Sequence, residues 1–216
     1  PAKKQYQAKL NLKSPQVLVC IGPAGSGKTM EACKAALNHL EENHYNKMII
    51  TRPSITVEEN LGYLPGDINK KMNPSMVPIY EYFDEFSNPQ NMNKYMKKGT
   101  IELVPLGFMR GRTFDSTIVI ADEMQNSTKK QMLNLLTRIG NYSKLIITGD
   151  TDQCDIPENQ SGLIDLIEKY NDHYHPTFFE YDNESKTKNI DLLQLSHDDI
   201  KRSEIVKEIL QIYKLL

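Results

Sequence analysis

Apolar residues recur along this chain in two rhythms. Residues 17–21 (VLVCI), 117–121 (TIVIA) and 145–148 (LIIT) are short, unbroken apolar or β-branched runs, the pattern of strands buried on both faces. Residues 48–51 (MIIT) and 101–104 (IELV) read as two more strands, the first stopped by Pro53, and residues 177–181 (TFFEY) as a sixth. Between them the period lengthens. Met30, Cys33, Leu37 and Leu40 recur at helical spacing within residues 28–42, and residues 129–139 and 162–170 repeat that spacing. Residues 198–216 read as a closing amphipathic helix. Pro, Asn and Gly punctuate residues 54–99, leaving helical stretches near 76–86 and 91–97. Strands alternating with helices predict βαβ units and a mainly parallel sheet, an α/β three-layer sandwich. The expectation is one domain over residues 1–216, with residues 1–14 as a lead-in segment within it.

Composition narrows the class. With 216 residues, 39% hydrophobic and 25% charged, the chain has the make-up of a soluble globular domain rather than a disordered one. No apolar run approaches the roughly 20 residues of a membrane span. The first residues, PAKKQYQAKLNLK, lack the apolar core of a signal peptide, so a cytoplasmic setting is expected. Cys20, Cys33 and Cys154 are far apart and form no CxxC pair, which argues against a disulfide framework or a cysteine zinc site. Tyr174 separates His173 from His175 with no carboxylate or cysteine at ligand spacing, so no metal is expected there. A net charge of −2 leaves only local basic patches for nucleic acid.

The chemistry concentrates after the first strand. Gly22, Pro23, Ala24, Gly25, Ser26, Gly27, Lys28 and Thr29 fit GxxxxGK[ST] at every required position, with a buried strand before them and a helix starting at them. Such a loop turns backbone N–H groups onto a phosphate chain, at a helix N-terminus whose dipole favours anions. Met30 follows in the first helical turn and completes the expected nucleotide-contacting stretch. Lys28 is placed to reach the β and γ phosphates, and the Thr29 hydroxyl to ligate Mg²⁺.

Two further strand tips carry polar groups. Residues 117–121 end in Asp122 and Glu123, at the sheet edge where open α/β proteins hold ligands. Asp122 is expected to hold Mg²⁺ through water, and Glu123 to orient and deprotonate an attacking water. Alone, the pair also reads as a solvated acidic turn; the upstream lysine loop favours the first reading. Gly149-Asp150-Thr151-Asp152-Gln153 follows the next strand. Gln153 would offer a neutral amide to the γ-phosphate, although Gly-Asp is by itself ordinary turn chemistry.

In order along the chain stand GPAGSGKT, TRPSITVEENLGYLPGD, FMRGRTFDSTIVIADEMQN, LTRIG, GDTDQCDIP and DDIKRSEIV. Together these resemble the PhoH-like ATPases, whose core is a single RecA-like P-loop domain related to superfamily-one helicases. The resemblance runs from Val17 to Tyr213, and its specific parts are TRP…LGYLPGD and FMRGRTFD. It implies ATP and Mg²⁺ as ligands, Gly25, Gly27, Lys28 and Thr29 on the phosphates, Asp122 and Glu123 as the Walker B pair, and Gln153 as γ-phosphate sensor. Arg202, in DDIKRSEIV, falls on the family's C-terminal arginine and is the first choice for a phosphate contact. The resemblance also implies a homo-oligomer, a ring of six, in which Arg202 or Arg138 would act across a subunit boundary. It leaves no place for the nuclease domain that some relatives carry, so the ATPase core alone is expected.

Coupling to RNA or single-stranded DNA, as a helicase-like motor, is the further expectation. Arg52 lies where helicase-like cores face the strand, though taken alone it reads as a salt-bridging surface arginine. Arg110 and Arg112 flank Gly111 just before the acidic strand, and two guanidiniums there suit phosphate capture. Tyr80, Tyr82, Phe83 and Phe86 lie at near-helical spacing and read as core or subunit contact rather than base-stacking platforms. Two rivals remain. A thymidine-kinase-like P-loop kinase would share a GPxxSGKT loop with a DE-x-Q segment, but that family uses four zinc-binding cysteines that this chain lacks. A nucleotide-gated oligomeric scaffold with little turnover is the non-catalytic alternative.

Overall fold

The computed structural model describes residues 2–53, 77–86, 89–174, 189–196, 199 and 212. Among these residues the strands are β1 (Val17–Ile21), β2 (Lys47–Thr51), β3 (Ile101–Leu103), β4 (Thr117–Ala121), β5 (Lys144–Gly149) and β6 (Ile190–Gln194). They pair in the order β3-β2-β4-β5-β1-β6, and every pairing is parallel. β1, β4 and β5 are buried along their whole length, as strands covered on both faces must be.

The pleat sends alternate residues into two cores. Leu18, Cys20, Ile50, Ile118, Ile120 and Ile146 pack on the side of α1 (Ala2–Leu10), α2 (Lys28–Glu41), α3 (Val77–Phe86) and α4 (Pro89–Lys97). Val19, Ile49, Val119, Leu145 and Ile147 face the opposite way, toward α5 (Lys129–Leu136) and α6 (Gly162–Tyr174). The three-layer α/β expectation therefore holds. Phe83 is fully buried in the first core with Tyr80 and Tyr82 against it, which makes α3 a core helix.

Both ends of the chain differ from the expectation in detail. Within the lead-in segment lies α1, a helix with few apolar residues, whose Tyr6 and Leu10 are nevertheless fully buried. Its end is held from outside, because Lys144 Nζ donates to Lys9 O at 2.7 Å and, just beyond the helix, to Leu12 O at 2.5 Å. β6 was not expected. Among the described residues it is an edge strand, carrying Asp191 and Gln194 and only half-buried, so its sequence lacks the unbroken apolar run of the interior strands. The strand expected at 177–181 and the helix expected at 198–216 lie outside the described residues. α5 ends at Leu136 rather than 139, and α6 runs four residues past 170.

In this strand order β5 separates β1 from β4, and β4 lies between β2 and β5. The C-terminal tips of β1, β5, β4 and β2 therefore stand side by side, where an open parallel sheet holds its ligands. Each tip carries one of the polar segments singled out in the sequence.

Candidate nucleotide-binding site

The loop after β1 is shaped by its glycines and by what packs behind it. Gly27 takes φ 83°, in the left-handed region, as it caps α2, a conformation that costs glycine nothing and a residue with Cβ more. At Gly22 the constraint is space: a Cβ there would lie 2.7 Å from the Leu195 carbonyl oxygen, where the chain leaves β6. Ala24 and Gly25 form the exposed crest, Ser26 is buried, and Met30 is half-buried beyond them. Pro23 closes the turn by accepting the Ser26 hydroxyl at 2.8 Å.

α1 supports the loop from outside. Lys3 Nζ donates to Ser26 O at 2.9 Å, and the buried Tyr6 hydroxyl donates to Lys28 O at 2.9 Å. Neither contact was read from the sequence, because a lysine and a tyrosine in a polar lead-in carry no signal of their own.

Lys28 is largely buried, and its ammonium lies across the loop, donating to Gly22 O at 2.6 Å and Pro23 O at 2.9 Å. Burial pulls its pKa below the ordinary lysine value, while the nearby Asp150 carboxylate pulls the other way. It is a cation held inside the turn that would wrap a phosphate.

Asp122 is 1% exposed and sits at the centre of the buried part. Its Oδ1 accepts the Thr29 and Thr148 hydroxyls, each at 2.5 Å. Its Oδ2 accepts Arg52 Nε at 2.7 Å and also Arg52 Nη2. Its backbone N–H donates to Thr51 O at 2.9 Å. The two residues expected to hold Mg²⁺ are thus brought together, and hydroxyl and carboxylate oxygens are the hard donors that ion selects. Arg52, expected on an exposed nucleic-acid face, is instead buried and turned inward onto Asp122.

Glu123 is built differently. Its backbone is left-handed, φ 57° and ψ 36°, which for a residue with Cβ costs on the order of 1–3 kcal/mol and recurs at working sites. The turn leaves the carboxylate exposed, with Oε2 accepting Gln125 Nε2 at 2.6 Å. Gln125 is itself buried: its amide also reaches Gln153 O at 3.3 Å, and its Oε1 accepts Asp150 N at 3.1 Å. One side chain therefore ties the β4 tip to the β5 tip.

Asp150 links that segment to the phosphate loop, its Oδ2 accepting Ala24 N at 3.0 Å and its Oδ1 accepting Asp152 N at 3.1 Å. Gln153 is exposed nearby, with its backbone N–H on Asp150 O at 3.2 Å. Gln125, Asp150 and Thr148 were missed as site residues. Their roles depend on which strand tips become neighbours; the sequence offered Gln125 only within the DE-x-Q segment, and Asp150 and Thr148 only beside Gly149.

The remaining arginines divide. Arg112 donates to Glu102 at 2.6 Å and lies 5.5 Å from the Phe114 ring centroid, so its guanidinium already has partners. Arg110 is exposed. Arg138 follows α5, its carbonyl accepting Phe114 N ahead of β4, at the end of the sheet away from the phosphate loop. Its Nε is buried with no hydrogen-bond partner. Arg202 lies outside the described residues. Among the described residues no helix is long and apolar enough to cross a membrane.

The sequence matches the family described as PhoH-like protein over residues 1–214. It is 37% identical over 201 residues to a PhoH-like protein of Synechocystis, covering 93% of this chain and 61% of that protein. A PhoH-like protein of Bacillus subtilis is 36% identical over 212 residues, covering 98% and 61%. Protein PhoH of Escherichia coli is 38% identical over 162 residues, covering 74% and 46%. The chain thus spans about 61% or less of the length of these curated relatives. Among solved structures, the large terminase of a thermophilic bacteriophage shares the fold, with a TM-score of 0.56 at 12% identity over 96% of this chain and 49% of that one.

Proposed function

The chain belongs to the PhoH-like family, and from that premise we propose that it binds a nucleotide at this loop and is an Mg²⁺-dependent ATPase, converting ATP to ADP and phosphate. The observation that carries this reading is the 2.5 Å contact between Thr29, at the start of α2, and Asp122, at the tip of β4, beside the buried ammonium of Lys28. Residues 93 positions apart meet where a phosphate chain and its cation would lie.

Each group then has a task. The loop N–H groups receive the phosphates, and Lys28 exchanges its carbonyl partners for phosphate oxygens. Thr29 and Asp122 would hold Mg²⁺, which when bound draws off charge developing on the β and γ phosphates. Glu123 takes a proton from water as that water's oxygen bonds to the γ-phosphorus. The bond from the γ-phosphorus to the bridging oxygen breaks, and its electron pair leaves with ADP. Gln125 aims the Glu123 carboxylate, since the hydrogen bond its side-chain amide donates fixes one of the carboxylate oxygens. Arg52 holds the Asp122 carboxylate in place through its Nε and Nη2 hydrogen bonds to Oδ2.

Coupling to RNA or single-stranded DNA, and assembly as a ring of six, complete the proposal. The exposed Arg110 supports a phosphate-contacting surface. Arg138 follows α5 at the end of the sheet away from the phosphate loop, and Arg202 or Arg138 would act across a subunit boundary on a neighbour's nucleotide. A trans arginine finger is worth on the order of 10³–10⁵ in rate, which favours assembly.

The test is phosphate release from ATP and Mg²⁺ by size-fractionated protein, with and without RNA or single-stranded DNA. Release stimulated by nucleic acid in an oligomeric fraction supports the whole proposal. Unstimulated release from monomer leaves the ATPase and removes the coupling and the trans arginine. Nucleotide binding without release in any fraction contradicts the ATPase.

A further inference from the structure

A second cluster of ligand-type side chains lies roughly 16 Å along α2 from Lys28. The chain leaves α2 through Asn43, whose left-handed φ of 59° folds it back so that His44 N donates to His39 O at 2.9 Å. The reversal sets His44 over His39 and beside Glu42. His39 is buried, with Nε2 3.0 Å from Leu10 O. A carbonyl only accepts, so Nε2 is the donor there and Nδ1 is the nitrogen left to ligate.

That nitrogen faces His44 Nδ1 at 3.0 Å, and His44 Nδ1 lies 3.3 Å from Glu42 Oε2. The three ligand atoms lie within 4.8 Å of one another. Without a cation, one proton on His44 must serve both an imidazole and a carboxylate. A dication satisfies all three at once.

We propose that His39, Glu42 and His44 bind a divalent transition metal of the Zn²⁺ class. Two imidazole nitrogens and one carboxylate suit that ion better than Mg²⁺ or Ca²⁺, which prefer all-oxygen sites. The Leu10 carbonyl is the outer partner that fixes a ligating histidine's tautomer and ring angle. The last turn of α2 also supplies the negative end of the helix dipole. Zn–N bonds of about 2.0–2.1 Å in a tetrahedron hold the nitrogens about 3.3 Å apart, so the half-exposed His44 ring backs away by a few tenths of an ångström. His39 and His44 also line a cleft of about 740 Å³, together with Asn11, Tyr45, Asn141 and Tyr142, and the fourth position would open on it. Bound metal would fasten the end of α2 and, through Leu10, the end of α1.

The experiment uses the full chain, stripped by chelator and free of nucleotide, titrated with Zn²⁺ and separately with Co²⁺. The expected result is one equivalent of Zn²⁺ bound with a rise in thermal midpoint, and Co²⁺ bands of a tetrahedral nitrogen and oxygen site without thiolate charge transfer. The exposed ligands allow variants that spare the core. His44→Ala and Glu42→Gln should each weaken Zn²⁺ binding at least about 10-fold, the loss that even an outer-shell partner can cause, and His44→Ala should lose the midpoint rise. No stoichiometric binding, or binding that survives both variants, overturns the proposal. So does binding abolished instead by His173→Gln with His175→Gln, or by Cys154→Ser.

Discussion

Asp122 and Glu123 are adjacent in sequence, yet they belong to two differently made halves of the site. The inner half, Lys28, Thr29, Arg52, Asp122 and Thr148, is buried and cross-bonded, with Asp122 accepting hydrogen bonds from three side chains. The outer half, Glu123, Asp152 and Gln153, is exposed and is aligned through the buried Gln125 and Asp150. Strand tips and a helix start dictate the first. The second depends on a left-handed turn and one amide. The difference suits the work: groups that hold charge need fixed, dry surroundings, whereas a proton acceptor must meet water.

The largest break in the comparison comes from the inner half. Lys28→Ala removes the cation from the phosphate loop, and ATP turnover should fall by on the order of 10²–10³ or more, the scale of one lost transition-state donor. Phosphate release by the purified variant checks it; an unchanged rate would move catalysis away from this loop. Next is the tether of the outer half. Gln125→Met should lower turnover by about 10², the cost of a reacting group displaced by about an ångström, while ATP affinity stays put. Single-turnover rates beside nucleotide titrations separate the two effects, and equal rates would make Gln125 mere packing.

The smallest effect probes what supports the site from α1. Burial lowers the Lys144 pKa to about 8 from 10.5. The unfolded chain therefore binds more protons than the folded one between those values, and this group's contribution to stability becomes more favourable as pH rises. Burial raises the Cys20 thiol to about 12 from 9.0, so its contribution is full below pH 9 and declines above. Stability should thus climb modestly from pH 8 to 9, and less so in Lys144→Met. Denaturant midpoints across that window check the sign; identical slopes in both proteins would remove Lys144 as the cause.

Much of the inner half was legible in the sequence, because it depends on local order. A buried run followed by GPAGSGKT, and another followed by Asp-Glu, announce strand, turn and chemistry in contiguous stretches of the sequence. β1 and β4 emerge at their expected bounds for the same reason. What escaped reading depends on distant neighbours. α1 is a helix with few apolar residues, held by its buried Tyr6 and Leu10 together with contacts from Lys28, Lys144 and His39. β6 is an edge strand with polar residues, stabilised by pairing with β1. Arg52 reads as a surface residue until Asp122 is placed beside it. Gln125 and Asp150 become site residues only when β4 and β5 are known to be adjacent.

The most direct measurement is Glu123→Gln, with ATP affinity and phosphate release determined on the same preparation. The amide keeps the shape and the turn but cannot take water's proton. The expected result is ATP binding close to that of the unaltered protein and hydrolysis lower by about 10²–10⁴, the usual contribution of a general base. Hydrolysis at the original rate, or lost ATP affinity with normal turnover at saturation, would contradict the division between the two halves of the site.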